Sequence, residues 1–170
     1  MIEAITSLFT LSWHQQRQYR PLPSDVTRSF VKTPGGDLEL LTSQPKHRDP
    51  SAPAIFFVHG GCGSAGVWLE WMSYLHEAYG GTLYAYSARN HGASYTVPYL
   101  RMVYGTPFTA LAQDLTACIQ AVEELEGKEG ELVLVGHSSG GGLVQYGLAQ
   151  SLFKCRALCL LDAVPHFGNL

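Results

Sequence analysis

ELVLVGHSSGGGLVQYGLAQ, residues 131–150, runs from a short apolar stretch through two serines set among glycines into a pattern with helical spacing. The first part reads as a strand, ELVLVGHS, and LVQYGLAQSLFK as a helix. Between them stands G-x-S-x-G, with Gly136, Ser138 and Gly140 in the fixed positions. The serine of such an elbow occupies a strained strand-to-helix turn, and its neighbours must be small because a Cβ there would collide with the adjacent strand or helix. The turn lifts the hydroxyl above the sheet and sets the amide of Ser139, at a helix start, where a developing oxyanion would sit. Ser138 is therefore the predicted nucleophile. The competing reading is a glycine-rich turn with an ordinary serine.

Outward from the elbow, the chain alternates strands with helices. RSFVKTPGGDLELLTSQP reads as a hairpin around Gly35 and Gly36, and AIFFVHG as a buried central strand. WLEWMSYLHEAY follows as a helix, TLYAYSA as a strand, and FTALAQDLTACIQAVEELEG as a long helix closed by Gly127. CRALCLLDAV is a sixth strand. This order predicts an α/β fold, a mostly parallel sheet with an N-terminal antiparallel hairpin and helices on both faces. An N-terminal helix and spacer are expected over 1–26 and the domain over 27–170.

A second oxyanion donor is expected in HGGCGSAGVW, after the third strand, with the Gly61 amide preferred by position and that of Cys62 as the alternative. Losing one such donor typically costs on the order of 10²- to 10³-fold in rate. His59 precedes the nucleophile and begins this loop, so chain order makes it a structural residue rather than a base. Trp68, just after the loop, is the aromatic best placed to bind substrate; Trp71, Tyr95, Tyr99 and Tyr104 are further candidates for an acyl pocket. Residues 61–66, GCGSAG, also fit G-x-G-x-x-G, which opens an NAD(P)-binding oxidoreductase as an alternative. Against it, TLYAYSARN ends without the acidic residue that would hold a ribose hydroxyl, leaving only Arg89 for a 2′-phosphate.

Composition narrows the partners. The 170 residues are 46% hydrophobic and 15% charged with a net charge of −3, as expected of a globular domain whose ligand is a small molecule. No basic stripe invites nucleic acid or an anionic membrane. Cysteines 62, 118, 155 and 159 show no zinc spacing, so no metal and no cofactor are expected, and reduced, buried thiols are the default. MIEAITSLFTLSWHQQR lacks a basic start and a small-residue cleavage site, and its apolar part is short for a membrane span, which points to the cytoplasm.

With the hairpin, the HGG loop, SARNHGAS after the fourth strand and GHSSGG after the fifth, residues 27–165 resemble the α/β-hydrolase superfamily, serine esterases and lipases among them. SARNHGAS looks like the family's R-G-H-G-x-S turn, with Asn90 where glycine is common. The resemblance implies cleavage of a carboxylic ester or related acyl bond, and a serine at 138 speaks against the branches that use aspartate there. It also implies an acid and a histidine after the nucleophile. The 32 residues beyond Ser138 hold one carboxylate, Asp162, and one histidine, His166. Asp162 is a candidate acid; His166, His91 and His137 make poor bases by position. The expectation is an N-terminal portion of the fold, impaired as it stands. A missing C-terminal half or a second copy would complete the sheet, and a non-catalytic binding module is the alternative.

Overall fold

The computed structural model describes residues 21–165, with Tyr99 described for its backbone alone. The expected N-terminal helix and His166 lie outside the described residues. Strands β1 (Thr27–Thr33) and β2 (Gly36–Ser43) form the hairpin, antiparallel, with Thr33 opposite Gly36. Gly36 turns at φ 141°, which a residue with a Cβ would adopt only under strain. Strands β3 (Ile55–Val58), β4 (Leu83–Tyr86), β5 (Val133–His137) and β6 (Ala157–Leu161) complete a sheet of order β1-β2-β4-β3-β5-β6. From β4 to β6 every pairing is parallel, while β2 runs antiparallel to β4.

The helices are α1 (Leu69–Leu75), α2 (Tyr99–Gly105), α3 (Phe108–Glu126) and α4 (Ser139–Ala149), with a 3-10 turn (Ala65–Trp68) before α1. Strand alternation divides the core in two. Phe56, Val58, Tyr84, Tyr86 and Leu134 meet Leu115, Ile119 and Val122 of α3 and Leu143 and Val144 of α4. On the other face Phe57, Leu83, Ala85 and Val135 meet Ala65, Trp68 and Met72, and Leu22 and Val26 of the spacer pack there too. Gly127 ends α3 in the left-handed conformation, φ 66°, its N–H returning to the Glu123 and Glu124 carbonyls.

Some boundaries depart from the sequence pattern. α4 begins at Ser139 rather than Leu143, because Gly140, Gly141 and Gly142 carry no side chains through which helical spacing could show. The helix expected over 68–79 begins as the 3-10 turn and α1 ends at Leu75, and α2 falls where only aromatic residues had drawn notice. The cysteines are free, but the expectation of buried thiols is corrected: Cys118 is buried, and burial pushes its thiol up, whereas Cys62 and Cys159 are exposed on a turn and on the outer strand. No helix among the described residues is long and apolar enough to cross a membrane.

After β3 the chain moves to β4 on one side, then returns past β3 to β5 on the other. Such a switch point opens a crevice at the carboxyl ends of the strands. Val58 lies level with both Tyr86 and Gly136, so the loops after β3, β4 and β5 leave the sheet together.

Candidate active site

Ser138 is the hinge between β5 and α4, at φ 53° and ψ −128°, a region that residues with side chains seldom occupy. Its backbone is held from both sides. The N–H donates to the Leu161 carbonyl (3.1 Å), and the carbonyl accepts from Gly141 (3.1 Å), Gly142 (3.3 Å) and Val164 (3.0 Å). A Cβ on Gly136 would come within 2.6 Å of the Gly141 Cα, and one on Gly140 would run into the His59 carbonyl. The spacing of the elbow glycines thus follows from close passage of backbone past backbone. Ser138 is half-buried and Ser139 exposed at the first turn of α4, where amides have no helical acceptor and the dipole is positive.

The loop after β3 lies against this elbow. A Cβ on Gly60 would stand 2.9 Å from the Ser138 Cβ, and one on Gly61 3.2 Å from the Ser139 Oγ. The Gly60 carbonyl accepts from Gly63 N–H (3.0 Å) and from His59 Nδ1 (2.7 Å). In a trans peptide the N–H points opposite to the C=O, so the Gly61 amide faces away from those donors. His59 is 5% exposed, and its Nε2 accepts from Ala88 N–H (3.0 Å), which places the proton on Nδ1. Burial lowers its pKa to about 4, the Gly60 bond opposing and nearby His91 adding to the fall. Both ring nitrogens are engaged with backbone, leaving neither for a substrate.

The turn after β4 grips the same loop at further points. Ser87 Oγ accepts from Ala65 N–H (2.9 Å) and donates to Glu39 Oε2 (2.6 Å). Glu39, buried, pairs with Arg28 (2.7 Å) and accepts from Ala93 N–H (2.9 Å). His91 sets Nε2 2.7 Å from the Gly61 carbonyl and Nδ1 2.8 Å from that of Arg89. The sequence reading did not single out Glu39 or Ser87; a carboxylate inside the apolar run LELL was the available signal.

The remaining candidates are dispersed. Asp162 is exposed at φ 43°, in the segment whose Leu161 and Val164 hold the Ser138 backbone, and no hydrogen bond links it to Ser138. Trp68 is 4% exposed and stacked on Phe57 at 4.9 Å, so it packs in the core beneath the loop rather than on an open wall, its Nε1 without a partner among the described residues. Trp71 and Tyr104 are exposed, while Tyr95 packs under Arg89 and bonds Asp114. His137 is exposed, edge-on to Trp68. Arg89 is committed to Asp114 (2.7 Å) and the Ala110 carbonyl (2.9 Å), which removes the residue left for a dinucleotide 2′-phosphate. Among the described residues no three His, Cys, Asp or Glu side chains converge as for a metal, and no imidazole bonds the Ser138 hydroxyl.

The family model described as alpha/beta hydrolase family matches residues 55–169. This chain belongs to the α/β-hydrolase family. Solved structures agree on the fold. This α/β-hydrolase chain is similar to the thioesterase domain from the curacin biosynthetic pathway (22% identity, 81% of this chain and 46% of that one, TM-score 0.63). It is similar to Cfl2 from Burkholderia cenocepacia (18%, 86% and 45%, 0.66) and to an epoxide hydrolase from an endophytic Streptomyces (23%, 81% and 37%, 0.63). It spans less than half the length of each. No curated protein sequence matches it.

Proposed function

We propose that this α/β-hydrolase chain carries the nucleophile and oxyanion-binding part of a serine hydrolase site for a carboxylic ester or related acyl bond of a small molecule. One observation carries the reading: Ser138, strained at the β5–α4 hinge, faces the Gly60–Gly61 peptide across the switch point. In the reaction the Ser138 Oγ bonds to the carbonyl carbon, and the C=O electron pair moves onto oxygen, held by the amides of Gly61 and Ser139, with Cys62 as the alternative loop donor. A histidine takes the hydroxyl proton and returns it to the leaving group as the acyl bond breaks. Water then repeats the sequence on the acyl-serine and frees the acid. The histidine comes from outside the described residues, from further chain or from a second copy that completes the sheet beside β6, and Asp162 is the proposed acid. The name of the thioesterase domain among the similar structures agrees with acyl chemistry.

A second reading, a binding module without turnover, is favoured by the Ser138 hydroxyl having no hydrogen-bonded imidazole among the described residues. Intact-mass analysis after a fluorophosphonate separates the two. Labelling lost in Ser138→Ala is the expected result; a folded protein that takes up no label, alone or together with whatever chain supplies the histidine, overturns the hydrolase reading.

A further inference from the structure

The Gly60 carbonyl accepting from Gly63 N–H closes a β-turn whose central residues are Gly61 and Cys62. In such a turn the weak point is the central peptide. Its rotation by about half a turn exchanges type I for type II with little change in the path of the chain. Neither Gly61 nor Cys62 has a positive φ, which excludes the type II form and places the Gly61–Cys62 peptide in one of its two orientations. Gly61 supplies no side chain to hold it there, and glycine is the least restrained of residues.

The restraint comes from elsewhere in the chain. His91 Nε2 reaches the Gly61 carbonyl at 2.7 Å from a position thirty residues away, with its other nitrogen 2.8 Å from the Arg89 carbonyl. The ring packs 5.1 Å from that of His59. Each histidine therefore holds one carbonyl of the turn, His59 that of Gly60 and His91 that of Gly61. A flip of the central peptide would break the second bond and turn the Cys62 N–H toward the His91 nitrogen.

We infer that His91 is a positioning residue: by donating to the Gly61 carbonyl it locks the central peptide of the 60–63 turn and so fixes the direction of the Cys62 amide, the alternative loop donor beside Ser138. Its bearing on catalysis rests on the hydrolase reading with Cys62 as the loop donor; its hold on the turn does not. Two variants separate the bond from the bulk of the ring. His91→Phe keeps a ring against His59 and loses both ring nitrogens, whereas His91→Gln keeps an N–H donor of similar reach.

The test is amide hydrogen exchange by mass spectrometry on peptides covering 59–66, with fluorophosphonate labelling rates measured alongside. Expected in His91→Phe are exchange over 59–66 faster by roughly tenfold with β3 and β5 unaltered, and labelling of Ser138 slower by about 10- to 100-fold, the range of a misdirected oxyanion donor. His91→Gln should restore both. Unchanged exchange in His91→Phe, or loosening that Gln does not repair, overturns the inference. Exchange that responds as expected while no variant, the wild type included, takes up label upholds the positioning role and overturns instead the reading of this chain by itself as an active hydrolase.

Discussion

Ser138 holds φ 53° without being glycine, and the reason it stays there is the pair of backbone clasps from Leu161 and Val164 on one side and α4 on the other. Strain of this kind costs on the order of 1–3 kcal/mol and persists where the surroundings over-determine it. Ser138→Gly should release most of it, the gain being reduced by the larger unfolded-state entropy of glycine, for a net stabilisation of about 1 kcal/mol and a rise of ~2–4 °C in thermal midpoint. Ser138→Ala keeps the Cβ and should leave the midpoint near that of the wild type. Calorimetry of both variants checks this, and equal midpoints would contradict the strain. The strained hinge was legible in the sequence, because G-x-S-x-G between a strand and a helix pattern marks a tight turn. Trp68 is less legible: its position after the glycine loop suggests a wall, while the 3-10 turn rolls the indole inward onto Phe57.

Between elements, the site is a junction of three loops that meet because β3 lies between β4 and β5. His59 ties two of them, bonding Gly60 in its own loop and Ala88 in the next, and it does so as the neutral ring. Its pKa of about 4 against an ordinary 6.5 fixes a sign. The unfolded chain takes up a proton that the folded one refuses, so this contribution is intact above pH 6.5 and is lost as pH falls toward 4, to the extent of about 3 kcal/mol. Thermal midpoints measured across that window should fall in the wild type and fall less steeply in His59→Gln; parallel curves would rule out His59 as the source. The sequence marked the loop and its histidine, since HGG after an apolar strand is a local pattern. It did not mark Glu39, Ser87 or the bond from His91, whose partners are separated by 22 to 48 positions and are joined only by sheet order.

At the scale of the molecule, β6 is the outer strand of the described sheet, with Leu158 and Leu160 37% and 42% exposed. An apolar outer strand offers unpaired backbone to other chains. The 170-residue protein is expected to self-associate with rising concentration, and Leu158→Lys with Leu160→Lys to shift its sedimentation toward the monomer; a wild type that stays monomeric at high concentration would argue that the edge is covered. The order of strands and helices, the elbow and the glycine loop were determined by the sequence itself, because apolar periodicity and glycine placement are set by neighbours a few residues apart. The tertiary structure alone decided which carbonyl each histidine holds, that Arg89 serves Asp114, and that Trp68 faces the core. Those outcomes depend on which strands lie side by side, and pairing across the sheet leaves no trace in local spacing.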